Sequence, residues 1–488
     1  MAVIAIDAGT TGIRAIAVDD EGHPFASAYR EVTQYFPRPG WVEHDATEIW
    51  QLAVTVLDEV ARTIDGDVAA IGITNQRETI VAWDRRTGRP LHRAIVWQDR
   101  RTAARCEELE SHLSDIRTHT GLVLDPYFSA TKIEWLLRNG SLDVNDDLAF
   151  GTVDTWLTWN LTGGASFVTD PSNASRTMLY DIRAQCWSDD LMALFGIPRG
   201  VMADVVPSAA PCGSTIARGM LPAGIPIASL LGDQQAALFG QACFTPGMAK
   251  NTYGTGSFVL MNVGHVCPPP ADGLLTTIAW QLADRSFTYA LEGAIFVTGA
   301  AIQWLRDGIG MIDDAREIGP LAESVPDSGG VVFVPAFTGL GSPWWDAHAR
   351  GTIVGLTRGS GRAELARAAV EAMAYQTRDV VDAMVRASGR PLDELRVDGG
   401  ASVMDLLLRV QADQLGVPVV RSARPETTAI GAAFAAGVGR GLWTIDDLAR
   451  RWEPGARVEP AVDRRSADVD HARWRRAVER SRAWTVDD

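Results

Sequence analysis

Two short segments carry side chains whose types and spacing could do chemistry. Arg77 and Glu78 place a cation and an anion at the end of an apolar strand, two residues after the run 71–74. Asp233 is a single carboxylate in the almost uncharged segment 227–236 and is followed by Gln234. A charge in an apolar segment needs a reason, because its burial without partners is costly. Together the two segments predict a pocket for a small polyhydroxylated molecule, with Asp233 as the general base for the attacking hydroxyl.

Each of these residues also has a simpler structural explanation. Arg77 and Glu78 could form a surface ion pair, which contributes little to stability. Asp233 could be the N-cap of a helix over residues 234–239. In the functional interpretation, Arg77 donates to neighbouring hydroxyls of one substrate and Glu78 accepts from them, while Gln234 holds a further hydroxyl.

Three aromatic side chains could complete such a pocket. Trp97 and Phe258 could cover the carbon face of a polyol, although ordinary core packing explains either ring as well. Tyr127, within Asp125-Pro126-Tyr127-Phe128, could add a phenolic hydrogen bond.

Two Gly/Thr turns predict a place for phosphate groups. The first is Asp7-Ala8-Gly9-Thr10-Thr11-Gly12 and the second is Tyr253-Gly254-Thr255-Gly256-Ser257. Glycine lets the backbone approach a phosphate closely, and threonine adds a hydroxyl donor. Asp7, at the end of a strand, could reach a hydrated magnesium ion. One such turn could equally be a plain hairpin, but its recurrence strengthens the phosphate interpretation. A polyol pocket with a phosphate cradle indicates a sugar or polyol kinase.

The elements that must position these residues occur twice. Apolar strands over 3–7 and 13–18 flank the first turn, and a helix over 47–64 leads to a buried strand over 68–74. Strands flank the second turn in the same way. A later strand ends at the pair Gly399-Gly400, and a helix with apolar residues from Met404 onwards follows. The repetition predicts two related lobes, residues 1–244 and 245–488, with the active site in the cleft between them.

Composition excludes several classes of protein. The chain has 488 residues, 46% of them hydrophobic, which favours two domains over one. The formal charge of −16 argues against nucleic-acid binding. Five scattered cysteines without a CxxC favour a reduced cytoplasm and no zinc site. Neither a signal peptide nor a membrane span is expected. Only two lysines are present, Lys132 and Lys250, and neither closes a P-loop motif. The charged tail over about 463–488 is expected to form a docked amphipathic helix.

At these residues the sequence resembles the FGGY carbohydrate kinases, and within them the glycerol kinases, from Asp7 to about Trp443. The most specific stretches include Pro39-Gly40-Trp41-Val42-Glu43-His44-Asp45, residues 72–79 and residues 232–240. Others lie at 95–102, 125–132, 169–177, 247–256, 339–345, 350–351 and 426–433.

The resemblance implies an α/β fold made of two duplicated actin/hexokinase/Hsp70-type, ribonuclease H-like ATPase lobes. It implies transfer of a phosphoryl group from ATP, with Mg²⁺, to a terminal hydroxyl of glycerol, and a homodimer or homotetramer. The substrate positions that match are Arg77, Glu78, Trp97, Tyr127, Asp233, Gln234 and Phe258, with Asp233 as the base. The matching nucleotide positions are Thr10, Thr11, Arg14, Thr255, Gly299, Gln303, Gly400 and Met404. Asp7 and Asp233 are the expected metal positions.

The sequence departs from this family at several positions. Glycerol kinases usually have Gln at Ala8, two serines at Gly12-Ile13 and Asn at Met404. The Gly-rich loop that binds fructose 1,6-bisphosphate in some members is not evident at 217–224. These differences leave open a kinase for another polyol or a ketopentose. A non-enzymatic ATP-gated module is the alternative of another class, since such proteins share the fold without the polyol pocket.

Overall fold

Two mixed β-sheets organise the chain, and helices cover their faces. The structure, a computed structural model, describes residues 1–485. Its strands are β1 (Ala2–Ala8), β2 (Gly12–Val18), β3 (Pro24–Glu31), β4 (Glu43–His44), β5 (Val68–Asn75), β6 (Val81–Asp84), β7 (Arg89–Pro90), β8 (Ala94–Ile95), β9 (Leu148–Gly151), β10 (Val168–Thr169), β11 (Tyr180–Asp181), β12 (Cys186–Trp187), β13 (Asp204–Val205), β14 (Gly213–Ser214), β15 (Pro226–Gly232), β16 (Ala249–Tyr253), β17 (Ser257–Gly264), β18 (Leu275–Gln281), β19 (Phe287–Ile295), β20 (Val332–Val334), β21 (Thr352–Val354), β22 (Leu395–Asp398), β23 (Val419–Ser422) and β24 (Pro454–Val458).

The helices lie mainly between these strands. They are α1 (Ala46–Ala61), α2 (Ala103–Glu108), α3 (Leu113–Thr120), α4 (Ser129–Asn139), α5 (Val153–Leu161), α6 (Pro171–Ala174), α7 (Asp189–Phe195), α8 (Asp233–Gly240), α9 (Gly299–Gln303), α10 (Ile318–Glu323), α11 (Arg362–Ser388), α12 (Asp405–Leu415), α13 (Thr427–Gly439), α14 (Ile445–Arg451) and α15 (Arg464–Ser481). None of the helices among residues 1–485 combines the length and the apolar character that a membrane crossing requires.

The two large sheets repeat one topology. In the first, the order is β14-β15-β5-β1-β2-β3; in the second, it is β18-β19-β17-β16-β22-β23-β24. Each contains three neighbouring antiparallel strands, β1-β2-β3 or β16-β17-β19, of which the first pairs in parallel with a later strand, β5 or β22. In the second sheet, β18 lies between β17 and β19 in the chain and forms the edge beyond β19. The duplicated two-lobe fold predicted from the repeated turns is therefore confirmed.

The first sheet is buried on both faces, which explains the apolar sequence of β1. Even-numbered residues such as Ile4 and Ile6 pack with Ile49 of α1. Odd-numbered residues such as Val3 and Ala5 pack in a second cluster with apolar residues of α13. Parallel strands covered on both faces are near-continuous apolar runs for this reason.

Helices α8 and α13 cross in close contact between the sheets. A Cβ added to Gly240 would lie 2.0 Å from the carbonyl oxygen of Thr427, and one on Gly431 would lie 1.8 Å from that of Ala236. No side chain fits at either glycine, so the two backbones touch directly. The Ser229 hydroxyl also donates to the carbonyl of α13 residue 432, at 2.9 Å.

The predicted tail helix corresponds to α15. Its first turn is capped by Asp463, and Trp474 and Val478 are buried against β20 and α11. Trp484 lies beyond the end of the helix at Ser481 and is exposed. The final residues of the predicted tail, 486–488, lie outside the described part of the chain.

Candidate active site

Arg77 and Glu78 lie just beyond the carboxyl end of β5 and are buried, with 2% and 1% of their side chains exposed. The surface ion-pair interpretation is therefore wrong. Their closest charged atoms are 3.9 Å apart, and each side chain has a better partner elsewhere. Glu78 has a φ of 62°, unusual for a residue with a side chain. Ser129 supports this turn by donating its hydroxyl to the Glu78 carbonyl at 3.0 Å.

A chain of alternating charges holds these two residues. Both terminal nitrogens of Arg77 donate to the carboxylate of Glu292, at 2.5 and 3.0 Å. Arg176 donates to the same carboxylate at 2.9 Å and, through Nε, to Glu78 at 2.6 Å. Two cations thus neutralise two anions in a fully buried site, which is the arrangement that makes buried charge tolerable.

The charge chain separates the pKa values of its two carboxylates. Burial alone would raise the pKa of Glu292, but the guanidiniums of Arg176 and Arg77 outweigh it and lower that pKa. Burial raises the pKa of Glu78, which Arg176 and Arg77 only partly oppose. Glu292 is therefore the firmly ionised member that fixes both arginines.

Asp233 is the first residue of α8, immediately after β15. Gly232 is the N-cap, so the N-cap interpretation of Asp233 is wrong. Its Oδ1 accepts from the Gln234 amide at 2.7 Å and lies 3.2 Å from Arg77 Nε. Burial raises the pKa of this carboxyl, opposed by the Arg77 charge. With 27% of its side chain exposed, Asp233 is held by one backbone hydrogen bond and one ion pair and is still accessible.

Three aromatic rings pack beside Arg77, the ion-pair partner of this carboxylate. Trp97 meets Tyr127 edge-on with ring centroids 5.5 Å apart, and Phe258 in the same way at 6.4 Å. The Trp97 indole donates to the Thr10 hydroxyl at 2.8 Å, which connects the three rings to the first hairpin turn. The Tyr127 hydroxyl accepts from Arg77 at 3.4 Å. Trp97 and Phe258 are only partly buried, so neither ring is a pure core residue.

Lys250, on β16, fixes the orientation of Gln234. Its buried ammonium donates to the Gln234 side-chain oxygen at 2.5 Å, to Thr252 Oγ1 at 2.9 Å and to the Phe258 carbonyl at 3.3 Å. Because the amide oxygen is engaged, the NH₂ group of Gln234 is the end that remains to donate. Burial lowers the pKa of Lys250 to about 8. The structure therefore brings all seven predicted substrate residues together.

Asp7 is the penultimate residue of β1, and the Asp233 carboxylate is near enough to affect its pKa. Burial, then the charge of Asp233, raise the pKa of Asp7 to about 7, against the opposing effect of Arg14. Two neighbouring carboxylates with few compensating cations suit a hard divalent cation, which takes oxygen ligands and relieves their repulsion.

Each hairpin turn is closed by one internal backbone hydrogen bond, which spans four residues in the first turn and three in the second. The amide of Gly9 donates to the Gly12 carbonyl at 3.0 Å, and that of Gly254 to the Gly256 carbonyl at 2.8 Å. In the first turn Thr11 is exposed. Arg14, on the following strand, forms an ion pair with Glu426, which lies just before α13.

The start of α9 packs on the second turn. Gly299 donates its amide to the carbonyl of Gly254 at 3.0 Å, and the amides of Thr298 and Ala300 both reach the Thr255 carbonyl, at 2.9 and 3.0 Å. Any Cβ on Gly299 would lie 2.7 Å from the Gly254 oxygen. The predicted nucleotide positions Thr255 and Gly299 are therefore in contact.

The remaining predicted nucleotide positions lie on the same lobe. Gly399 has a φ of 86° and packs on the backbone of Tyr253, which brings the exposed Gly400 next to the second turn. Gln303 is exposed at the end of α9. Met404 precedes α12 and packs towards Gly319 of α10.

Four further side chains of the site were missed from the sequence: Arg176, Glu292, Lys250 and Asp398. Asp398 ends β22, and one oxygen accepts from Gln241 at 2.9 Å and from Thr427, whereas Oδ1 has no partner among the described residues. Glu292 is a lone carboxylate in the apolar β19, the same signal that identified Asp233. Lys250 is one of two lysines and also lies within a strand.

Comparison with known proteins finds relatives of both lobes. Residues 2–240 match the N-terminal domain, and residues 249–440 the C-terminal domain, of the FGGY family of carbohydrate kinases. The chain is 53% identical to a glycerol kinase of Bordetella parapertussis, over 99% of this chain and 97% of that protein. It is 54% identical to a glycerol kinase of Aromatoleum aromaticum, over 99% of each. The crystal structure of Plasmodium falciparum glycerol kinase with ADP is similar with a TM-score of 0.93 and 34% identity, over 98% of each chain.

Proposed function

Since the chain belongs to the FGGY family of carbohydrate kinases, we infer that it catalyses the ATP-dependent phosphorylation of glycerol to sn-glycerol 3-phosphate. Relatives over half identical across nearly the whole chain are glycerol kinases. The observation that carries the assignment within the site is the convergence of seven residues on one small pocket that contains an accessible carboxylate. A non-enzymatic ATP-gated module would have no use for such a pocket.

Asp233 is proposed as the general base. The terminal hydroxyl of glycerol gives its proton to this carboxylate while its oxygen forms a bond to the γ-phosphorus of ATP. The bond between that phosphorus and the β–γ bridging oxygen breaks, and ADP leaves. A raised pKa makes Asp233 a better proton acceptor than an ordinary aspartate, and Arg77 keeps its charged form oriented at 3.2 Å.

Arg77, Glu78 and Gln234 are proposed to hold the hydroxyls of glycerol. The ion pairs with Glu292 and Arg176 fix the two charged side chains, so that little entropy is lost when substrate binds. Tyr127 adds a phenolic hydroxyl. Trp97 and Phe258 are proposed to cover the carbon chain and to limit the acceptor to a small polyol.

The nucleotide is proposed to lie along the second lobe, at Thr255, Gly299, Gln303, Gly400 and Met404. Thr10, Thr11 and Arg14 would hold its phosphates from the first lobe. Asp7 and Asp233 would hold Mg²⁺, which would neutralise charge on the phosphates. Assembly as a homodimer or homotetramer stays a prediction.

ADP release tests the assignment directly. With MgATP, glycerol is expected to stimulate release strongly, whereas D-xylulose, erythritol and buffer alone are not. Asp233→Asn should remove nearly all turnover and keep ADP binding, as measured by calorimetry. Asp314→Asn is the matched control, because that carboxylate pairs with Arg316 on the surface. Turnover with another acceptor but not with glycerol would overturn the assignment of substrate.

A further inference from the structure

The first hairpin turn contains a glycine whose side-chain space is already filled. A Cβ on Gly12 would lie 2.3 Å from the Tyr29 hydroxyl oxygen and 2.4 Å from two carbons of its ring. Gly12 is not among the residues with positive φ. Glycine is therefore needed here for space and not for backbone conformation.

Strand pairing explains how a residue of β3 reaches the turn. Tyr29 is the register partner of Arg14, two residues after Gly12 on β2. Side chains of adjacent strands reach diagonal neighbours when they are aromatic or long. The ring leans along the sheet over Gly12, so its hydroxyl lies beside the turn that carries Thr10 and Thr11.

The Tyr29 ring is well held, but its hydroxyl is not. The Arg14 guanidinium carbon lies 5.4 Å from the ring centroid, within the range of a cation–π contact. Within residues 1–485 the hydroxyl reaches only the Thr11 carbonyl, at 3.4 Å, longer than an ordinary O–H···O hydrogen bond. Tyr29 is 40% exposed. The phenol thus has a fixed position and a hydroxyl free to donate to a ligand.

We propose that Tyr29 is a further nucleotide-binding residue. Its hydroxyl lies where a side chain at residue 12 would lie, and from there it donates to a phosphate oxygen of ATP. The inference rests on the proposed kinase function. Gly12 and the buried Ile13 offer no side-chain donor to the turn. A phenol donating to an ionised phosphate forms a charge-assisted bond, which is stronger than a neutral one. The ring also keeps Arg14 beside the same phosphates.

Tyr29→Phe tests the hydroxyl alone, because it keeps the ring over Gly12 and Arg14. We expect KM for ATP and Kd for ADP to rise about tenfold, while KM for glycerol and the melting temperature stay unchanged. Tyr35→Phe is the matched control: its ring also lies under an arginine, Arg93, at 3.6 Å, and its hydroxyl has no hydrogen bond to the turn among residues 1–485. Equal nucleotide affinity in Tyr29→Phe and the wild type would overturn the proposal.

A double-mutant cycle tests the shared space. Gly12→Ser should weaken ADP binding at least tenfold in the wild-type background, because the new side chain collides with the phenol. In a Tyr29→Ala background the serine fits, and its hydroxyl should recover most of the affinity that Tyr29→Ala loses. If Gly12→Ser were equally harmful in both backgrounds, the two residues would not share one space and the proposal would fail.

Failure of this inference is distinguishable from failure of the proposed function. If the wild type released no ADP in the presence of glycerol, the assigned reaction would be wrong. ADP binding by calorimetry would still report the effect of Tyr29→Phe, since it does not depend on the acceptor. Normal wild-type turnover with no effect of Tyr29→Phe on either ATP KM or ADP Kd would refute only the role of Tyr29.

Discussion

Glu292→Gln should reveal how much the buried charge chain contributes to the site. The wild-type carboxylate accepts three hydrogen bonds, two from Arg77 and one from Arg176. Glutamine has nearly the same size but only one acceptor, and its NH₂ group would face a guanidinium. Among the described residues, the substitution therefore leaves Arg176 with Glu78 and Arg77 with Asp233 and Glu78 as anionic partners, at 2.6, 3.2 and 3.9 Å.

The magnitude follows from the burial of the pair. Removal of one partner from a buried ion pair costs about 3–5 kcal/mol, because the other charge stays buried and uncompensated. For a lobe of about 240 residues, each kcal/mol lowers the melting temperature by about 2–4 °C, so a decrease of roughly 6–20 °C is expected. Arg77 should also lose its fixed orientation. One misplaced hydrogen bond to a charged group, worth about 1.5–3 kcal/mol, raises KM for glycerol roughly 10- to 100-fold.

Differential scanning calorimetry and the coupled ADP assay measure both effects. Glu323→Gln is the control, because Glu323 pairs with Arg409 at the surface and both side chains are about half exposed. That substitution should cost at most about 1 kcal/mol and leave KM unchanged. If Glu292→Gln melted within 2 °C of the wild type and bound glycerol with the same KM, the charge chain would not position Arg77 and this reasoning would be refuted.

Three further substitutions or conditions test other parts of the structure. The pKa of Asp7 is raised to about 7, so its contribution to folding stability is lost as pH rises from about 4 to 7. Asn cannot ionise, so Asp7→Asn should unfold at a higher urea concentration than the wild type at pH 7.5. The same variant should lose turnover with MgATP. Gly431→Ala should abolish or severely reduce soluble expression, because the added Cβ would lie 1.8 Å from the Ala236 carbonyl oxygen. Gly200→Ala should match the wild type, because its added Cβ would have no described atom within 4 Å beyond its two chain neighbours. Lys250, with a pKa lowered to about 8, should lose its charge above that pH, so KM for glycerol should rise between pH 8 and 10. Over that range the contribution of Lys250 to folding stability increases with pH, because the unfolded chain still binds the proton that the folded chain has lost. A fall in stability together with an unchanged KM for glycerol would contradict this role of Lys250.

Much of the fold was predictable because its elements are local. The hairpin β1-β2 and strand β5 follow from apolar runs that end in Gly/Thr or polar residues, and the topology follows from the recurrence of that pattern. Arg77 and Asp233 were predictable for the same reason, since each charge stands next to an apolar run. The local sequence therefore shows that such residues lie at the end of a buried strand, but it does not show which residues they contact.

The partners were not predictable because they come from distant parts of the chain. Glu292 lies 215 residues after Arg77, and Arg176 lies 98 residues after Glu78. Nothing in the sequence near either residue indicates that they meet. The relation of Tyr29 to Gly12 needs the register of β2 and β3, which an apolar pattern fixes only to within two residues.

The packing of α13 against the first sheet has a consequence for the order of folding during synthesis. Strands β1, β5 and β15 are complete by residue 232, but one face of their sheet is covered by residues 427–439. A nascent chain must therefore carry that apolar face uncovered while nearly two hundred further residues are translated. The first lobe cannot reach its final stability on the ribosome before the second is largely made, which makes the unfinished chain a natural client for chaperones. Truncation before α13 should accordingly leave an aggregation-prone product and not an independent domain.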